Sequence, residues 1–114
     1  MTAGIASAQT KDQITRIAKI EVDPAQLTSY TAALREQMNA AIKLEPGVLT
    51  YYAVADKLHP EKITILEIYA SQAAYESHIQ TAHFKKYKAT VEHMVKSLEL
   101  TNVDVVGIAK KPGL

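Results

Sequence analysis

Glu67 and Tyr69 stand two residues apart in the apolar run from Ile63 to Ala70, so on a strand both share the face of Ile63 and Ile65. A carboxylate in such a place is costly unless it is hydrogen-bonded or paired. It is either a structural group tied to a helix terminus or a lysine, or a pocket carboxylate that orients a histidine or a substrate hydroxyl. His78 and His83 follow, with Phe84 beside the second. On a continuous helix their five-residue spacing separates them by about 140°, so they are not a metal pair of the HExxH type. A helix break near Gln80 and Thr81 would still let both face one pocket. Each histidine is either a capping or half-buried structural group or a working one, and His78 would suit deprotonation of a phenol near neutral pH. Tyr51 and Tyr52 face opposite sides of their own run. With Tyr30, Tyr69, Tyr75 and Phe84 they supply either core packing or walls for a flat aromatic ligand. His59 and His93 read as solvated surface groups.

Other chemistries lack their residues. The chain has no cysteine, which excludes disulfides, thiolate metal sites and a cysteine nucleophile. It has no GxGxxG run, phosphate loop, GxSxG elbow or zinc signature, so no metal and no nucleotide or flavin cofactor held in the usual way is expected.

These side chains need a scaffold, and the periodicity supplies one. Ile14 to Val22 is β-rich, with Ala18, Ile20 and Val22 on one face. Asp23-Pro24 is a helix start, and Leu27, Tyr30, Leu34, Met38, Ala41 and Ile42 recur at helical steps until Pro46-Gly47. Val48 to Ala55 and Ile63 to Ala70 form a hairpin around the polar separator Asp56 to Lys62. Both runs are apolar on both faces, which predicts a sheet covered on both sides: helices on one, and most simply a second copy of the sheet on the other. Ser71 caps a short helix, Gln72 to about Ile79. Thr81 caps a longer one whose apolar stripe is Phe84, Tyr87, Val91, Met94 or Val95, and Leu98. Leu98 to Ile108 alternates as a last strand, and residues 110–114 are a tail.

The resulting fold is α+β and ferredoxin-like, β-α-β-β-α-α-β around an antiparallel sheet, in one domain spanning 13–109. At 114 residues the chain buries a modest fraction of its surface alone, so a homodimer is expected. Thirteen basic against twelve acidic residues argue against a nucleic-acid partner. Ile63 to Tyr69 also lacks the glycine-and-aromatic motif of an RNA-recognition sheet. No apolar run is long enough to cross a membrane. Residues 1–12 read as a flexible N-terminus. The expected location is the cytoplasm, or outside it if residues 2–9, with the small-x-small pattern Ala6-Ser7-Ala8, are the end of an export signal.

The ordered set Glu45-Pro46-Gly47, Tyr51, Asp56, Pro60, Glu67, Tyr69, Ala74, His78 and His83-Phe84 resembles the pattern of the antibiotic biosynthesis monooxygenase family, over about residues 14–107. The resemblance implies a dimeric α+β barrel with a pocket between sheet and helices in each subunit. It also implies oxidation of a quinol or aromatic phenol by O₂ with no cofactor. In that reading His78, oriented by Glu67, is the base, and Tyr51, Tyr69, His83, Phe84 and Met38 surround the substrate. Heme-degrading members of the same superfamily use a tryptophan and a strand-one asparagine that this chain lacks, with Lys88 near the place of their heme ligand. The alternatives are a non-catalytic dimeric ligand-binding or stress-response module, and a phosphosugar isomerase, against which the few cations among the expected pocket residues count.

Overall fold

The computed structural model describes residues 12–113; the small-residue stretch 2–9 lies outside them. Four strands, β1 (Ile14–Val22), β2 (Val48–Ala55), β3 (Lys62–Tyr69) and β4 (Val95–Val103), form one antiparallel sheet in the order β2-β3-β1-β4. Three helices, α1 (Leu27–Leu44), α2 (Gln72–His78) and α3 (Ala82–Val91), complete the ferredoxin-like α+β order. Among the described residues no helix is long and apolar enough to cross a membrane.

Local signals place the elements. The Asp23 carboxylate accepts from the backbone N–H of Ala25, with Pro24 opening a 3-10 turn that runs into α1. Ser71 Oγ accepts from Ala74 N and so starts α2. Thr81 acts twice. Its Oγ1 accepts from Phe84 N at the start of α3 and donates to His78 O at the end of α2. One side chain thereby fixes the angle between the two short helices, and with it the relation of His78 to His83.

The core lies between the sheet and the helices. Ala18, Ile20 and Val22 of β1 and Ile63 and Ile65 of β3 pack against Tyr30, Leu34 and Val91. A smaller cluster joins Ala41, Val48 and Tyr69. On the opposite face of β2, Tyr52 is 66% exposed and Val54 52% exposed in the single chain. That leaves uncovered part of the face expected to need a partner.

The second half departs from expectation in one element. The spacing predicts that the helical stripe continues through Met94 or Val95 to Leu98, but α3 ends at Val91 and Met94 closes a turn, its N–H bonded to Val91 O and its O to Asp23 N. Val95 already pairs with Val22. The strand also stops at Val103 rather than Ile108, because its partner β1 begins at Ile14 and Thr15 is the last residue opposite it.

Candidate active site

A cavity of about 630 Å³ opens between the helix-side face of the sheet and the helices, within the range that takes a small-molecule ligand. Its walls are mainly apolar or aromatic, with Ala18, Ile20, Leu34, Ile65, Tyr75, Phe84, Tyr87, Val91, Leu98 and Leu100. Arg16, Gln37, Tyr51, Glu67, Tyr69, Lys88 and, from the exposed rim, Glu92 bring the polar groups.

Gln37, Tyr51, Tyr69 and Glu67 belong to one connected chain that continues to His78, Glu45 and His83. Tyr69 donates to Glu67 Oε1 at 2.8 Å, and Tyr51 Oη lies 3.2 Å from Tyr69 Oη. Gln37 Nε2 donates to Tyr51 Oη at 3.3 Å. Tyr51 Oη lies 2.7 Å from His78 Nε2, and His78 Nδ1 lies 2.9 Å from Glu45 Oε2. The same Glu45 oxygen meets His83 Nε2 at 2.5 Å. The run therefore begins at a carboxylate on the cavity wall and ends at a histidine with 17% side-chain exposure.

Burial shifts the protonation of Glu67, His78, Tyr51 and Tyr69. Glu67 is pushed above the ordinary carboxylate range by desolvation, against the hydrogen bond from Tyr69 and the charge of Arg16, which pull it down. Arg16 faces Glu67 across the β1–β3 register, and its guanidinium stacks 4.2 Å from the ring centroid of Tyr75. Desolvation holds His78 below the usual imidazole value, although Glu45 pulls it the other way. Tyr51 and Tyr69 are raised by burial, so both are neutral hydroxyls at any ordinary pH.

Of the residues expected at the site, Tyr51, Tyr69, Phe84 and Glu67 line the cavity. The structure places the others differently. His78 is fully buried behind Tyr51 and does not line the cavity. Glu45, not Glu67, holds it, because Tyr51 and Tyr69 stand between the two. The partner of Glu67 is the hydroxyl of Tyr69 rather than a histidine or a helix-start amide. His83 turns to Glu45 and is not a wall. Met38 packs into the core, since α1 presents Leu34 and Gln37 to the cavity. The expected shortage of cations also fails, for Arg16 and Lys88 both line the cavity.

Sequence reasoning missed Glu45, Gln37, Tyr87 and Arg16 as site residues. Glu45 was visible only as the first letter of Glu45-Pro46-Gly47; its partners lie 33 and 38 residues away. Gly47 explains part of that run. A Cβ placed there would stand 2.5 Å from Ala74 Cβ, so only glycine lets the start of β2 pass this close to α2.

A family model described as antibiotic biosynthesis monooxygenase matches residues 13–90. No curated protein matches the chain. Among solved structures, one from Bacteroides thetaiotaomicron, described as a "putative antibiotic biosynthesis monooxygenase", is 47% identical, with 91% of this chain and 95% of that chain covered and a TM-score of 0.81. One from Caulobacter crescentus, described in the same words, is 24% identical, with coverages of 90% and 95% and a TM-score of 0.78. A monooxygenase structure from Fusobacterium nucleatum, likewise described as putative, is 21% identical with a TM-score of 0.83; 95% of this chain aligns to 51% of that one. The last two show likeness of fold.

Proposed function

The chain belongs to the antibiotic biosynthesis monooxygenase family, and from that premise we propose that it oxidises a small quinol or aromatic phenol with O₂, using no cofactor. The observation that carries this reading is the placing of Glu67 at the polar end of a cavity walled by aromatic rings. A phenol gives electrons to O₂ far more readily as its phenolate. The protein's task is to remove that proton in a dry site, and a carboxylate raised by burial is a better base near neutral pH. For a quinol, one oxygen atom enters the ring to give a hydroxyquinone and the other leaves as water. All four electrons taken up by O₂ come from the substrate.

In this assignment Glu67 is the catalytic residue, because it lines the cavity and ends the hydrogen-bonded tyrosine chain there. Tyr51 and Tyr69 hold it and contact the substrate. His78 is a positioning residue that acts through Tyr51. Phe84, Tyr75 and Tyr87 supply ring contacts. The protein works as a homodimer in the cytoplasm, with the exposed Tyr52 and Val54 of β2 in the interface.

The test is oxygen uptake by purified protein with menadiol- and anthrone-type substrates, beside Glu67→Gln. Substrate-dependent uptake that drops at least about tenfold in the variant supports the assignment, in keeping with the 10²- to 10⁴-fold typical of general-base help. No uptake above background across a quinol panel favours a binding module. One observation favours a second reading: Arg16 and Lys88 on the cavity wall suit a phosphate or carboxylate, as a phosphosugar isomerase would need. Selective binding of sugar phosphates over quinols would move the assignment there.

A further inference from the structure

We infer that Glu45, His78 and His83 form a binding site for a divalent transition-metal ion of the Zn²⁺ class, separated from the cavity by Tyr51. The donors come from three elements: Glu45 at the C-cap of α1, His78 at the end of α2 and His83 in the first turn of α3. Their ligand atoms, Glu45 Oε2, His78 Nδ1 and His83 Nε2, all lie within 4.8 Å of one another. Such ions bind imidazole nitrogen and carboxylate oxygen at about 2.0–2.2 Å, which sets donors roughly 3.3 Å apart on a tetrahedron. The present separations of 2.9 and 2.5 Å would lengthen to that spacing on taking up an ion. Two imidazoles and one carboxylate select zinc, iron, cobalt or nickel over calcium or magnesium.

One arrangement of the hydrogens also suits an ion at this place. Each tyrosine hydroxyl has one hydrogen to give. Tyr69 gives its own to Glu67. If the contact between Tyr51 and Tyr69 is a hydrogen bond, its hydrogen comes from Tyr51. Tyr51 then accepts from His78, which puts the imidazole hydrogen on Nε2, and it accepts from Gln37 as well. His78 Nδ1 is left bare, with its lone pair aimed at a carboxylate oxygen 2.9 Å away. In that arrangement a metal ion between the two acceptors satisfies both. Metal-binding histidines fix their other nitrogen on an outer partner in the same way, and Tyr51 is that partner here.

Access fits as well. The side chains of Glu45 and His83 are 11% and 17% exposed, so an ion can enter from solvent, while His78 at 1% is the fixed wall. The ion would not touch substrate. It would hold the hydrogens of His78, Tyr51 and Tyr69 pointing toward Glu67. The site stands whether or not the monooxygenase assignment does.

The test uses the full chain, stripped by chelator and dialysed. Calorimetry with Zn²⁺ should give one saturable equivalent per chain, and Co²⁺ should give the visible absorption of a low-coordinate nitrogen–oxygen site. His83→Ala, which removes a half-buried ligand outside the core, should weaken Zn²⁺ binding at least about tenfold. The paired surface variants His59→Ala and His93→Ala should leave it unchanged. A long-range ¹H–¹⁵N spectrum should place the His78 hydrogen on Nε2 with Zn²⁺ added, a readout that does not depend on any variant folding. The absence of saturable uptake overturns the site. So does uptake that His83→Ala leaves intact, uptake lost in the surface variants, or a His78 ring whose signals ignore Zn²⁺.

Discussion

The hydroxyl of Tyr51 meets Nε2 of His78 at 2.7 Å, and through this contact a fully buried histidine reaches a cavity that it does not line. The His78 ring also packs against Tyr69 and Phe84, both cavity walls, but its hydrogen-bonded link to the cavity is the Tyr51 phenol.

Tyr51→Phe tests that link with little change of shape. It leaves His78 Nε2 buried without its present partner, which costs about 1–3 kcal/mol. Urea unfolding should show a loss of this size with an unchanged m-value. Oxygen uptake should fall at least about tenfold although Glu67 is intact. Uptake equal to wild type would remove the link from the mechanism.

Glu67 makes stability depend on pH in a specific direction. Its folded-state pKa lies above the ordinary value of 4.5, so between the two the folded protein binds more protons than the unfolded chain. Its contribution is therefore favourable below that window and is lost as pH rises through it. Glu67→Gln should be more stable than wild type at neutral pH, and the gap should close on acidification toward pH 4.5. Chemical denaturation of both proteins across this range measures it; a gap that widens in acid would show Glu67 to be depressed instead.

Gly47→Ala should destabilise the fold by about 1–3 kcal/mol, because the new Cβ meets Ala74 Cβ at 2.5 Å. The strain falls on α2, one turn before His78, so the His78 ring signals should shift as well. Adding Ala74→Gly removes the clashing atom. The double variant should recover the His78 spectrum, and failure to do so would place the cost in the backbone of Gly47 itself.

The exposed side of β2 predicts the assembly. Sedimentation should show a homodimer at micromolar concentration, its interface about 1,200 Å² or more. Tyr52→Glu with Val54→Lys should shift it to monomer, since both residues are more than half exposed in the single chain. A wild-type monomer would leave those residues unexplained.

The local parts of the fold were legible in the sequence. β1, β2 and the caps at Asp23, Ser71 and Thr81 follow from neighbours within four residues. β4 was less so: Met94, Val95 and Leu98 fit a helical stripe and an alternating strand alike, and pairing with Val22 and Ile20 decides between them. The site was legible as a set of residues but not as a wiring. Glu67, Tyr69, Tyr51 and His78 were all singled out, yet which carboxylate holds His78 depends on bringing α1 against α2. No spacing encodes that contact.

Between Val48 and Thr50 the β2–β3 register slips by one residue. Val48 lies opposite Tyr69, and Tyr51 and Ala53 lie opposite Glu67 and Ile65, so all three face the helices although their numbers differ in parity. The strand thus keeps two alternation rules, one on each side of Leu49. A redesign or homologue comparison that carries the parity of Val48 along β2 will assign the wrong face to every residue from Thr50 to Ala55. It will judge Tyr52 a core residue and Tyr51 a dispensable surface one.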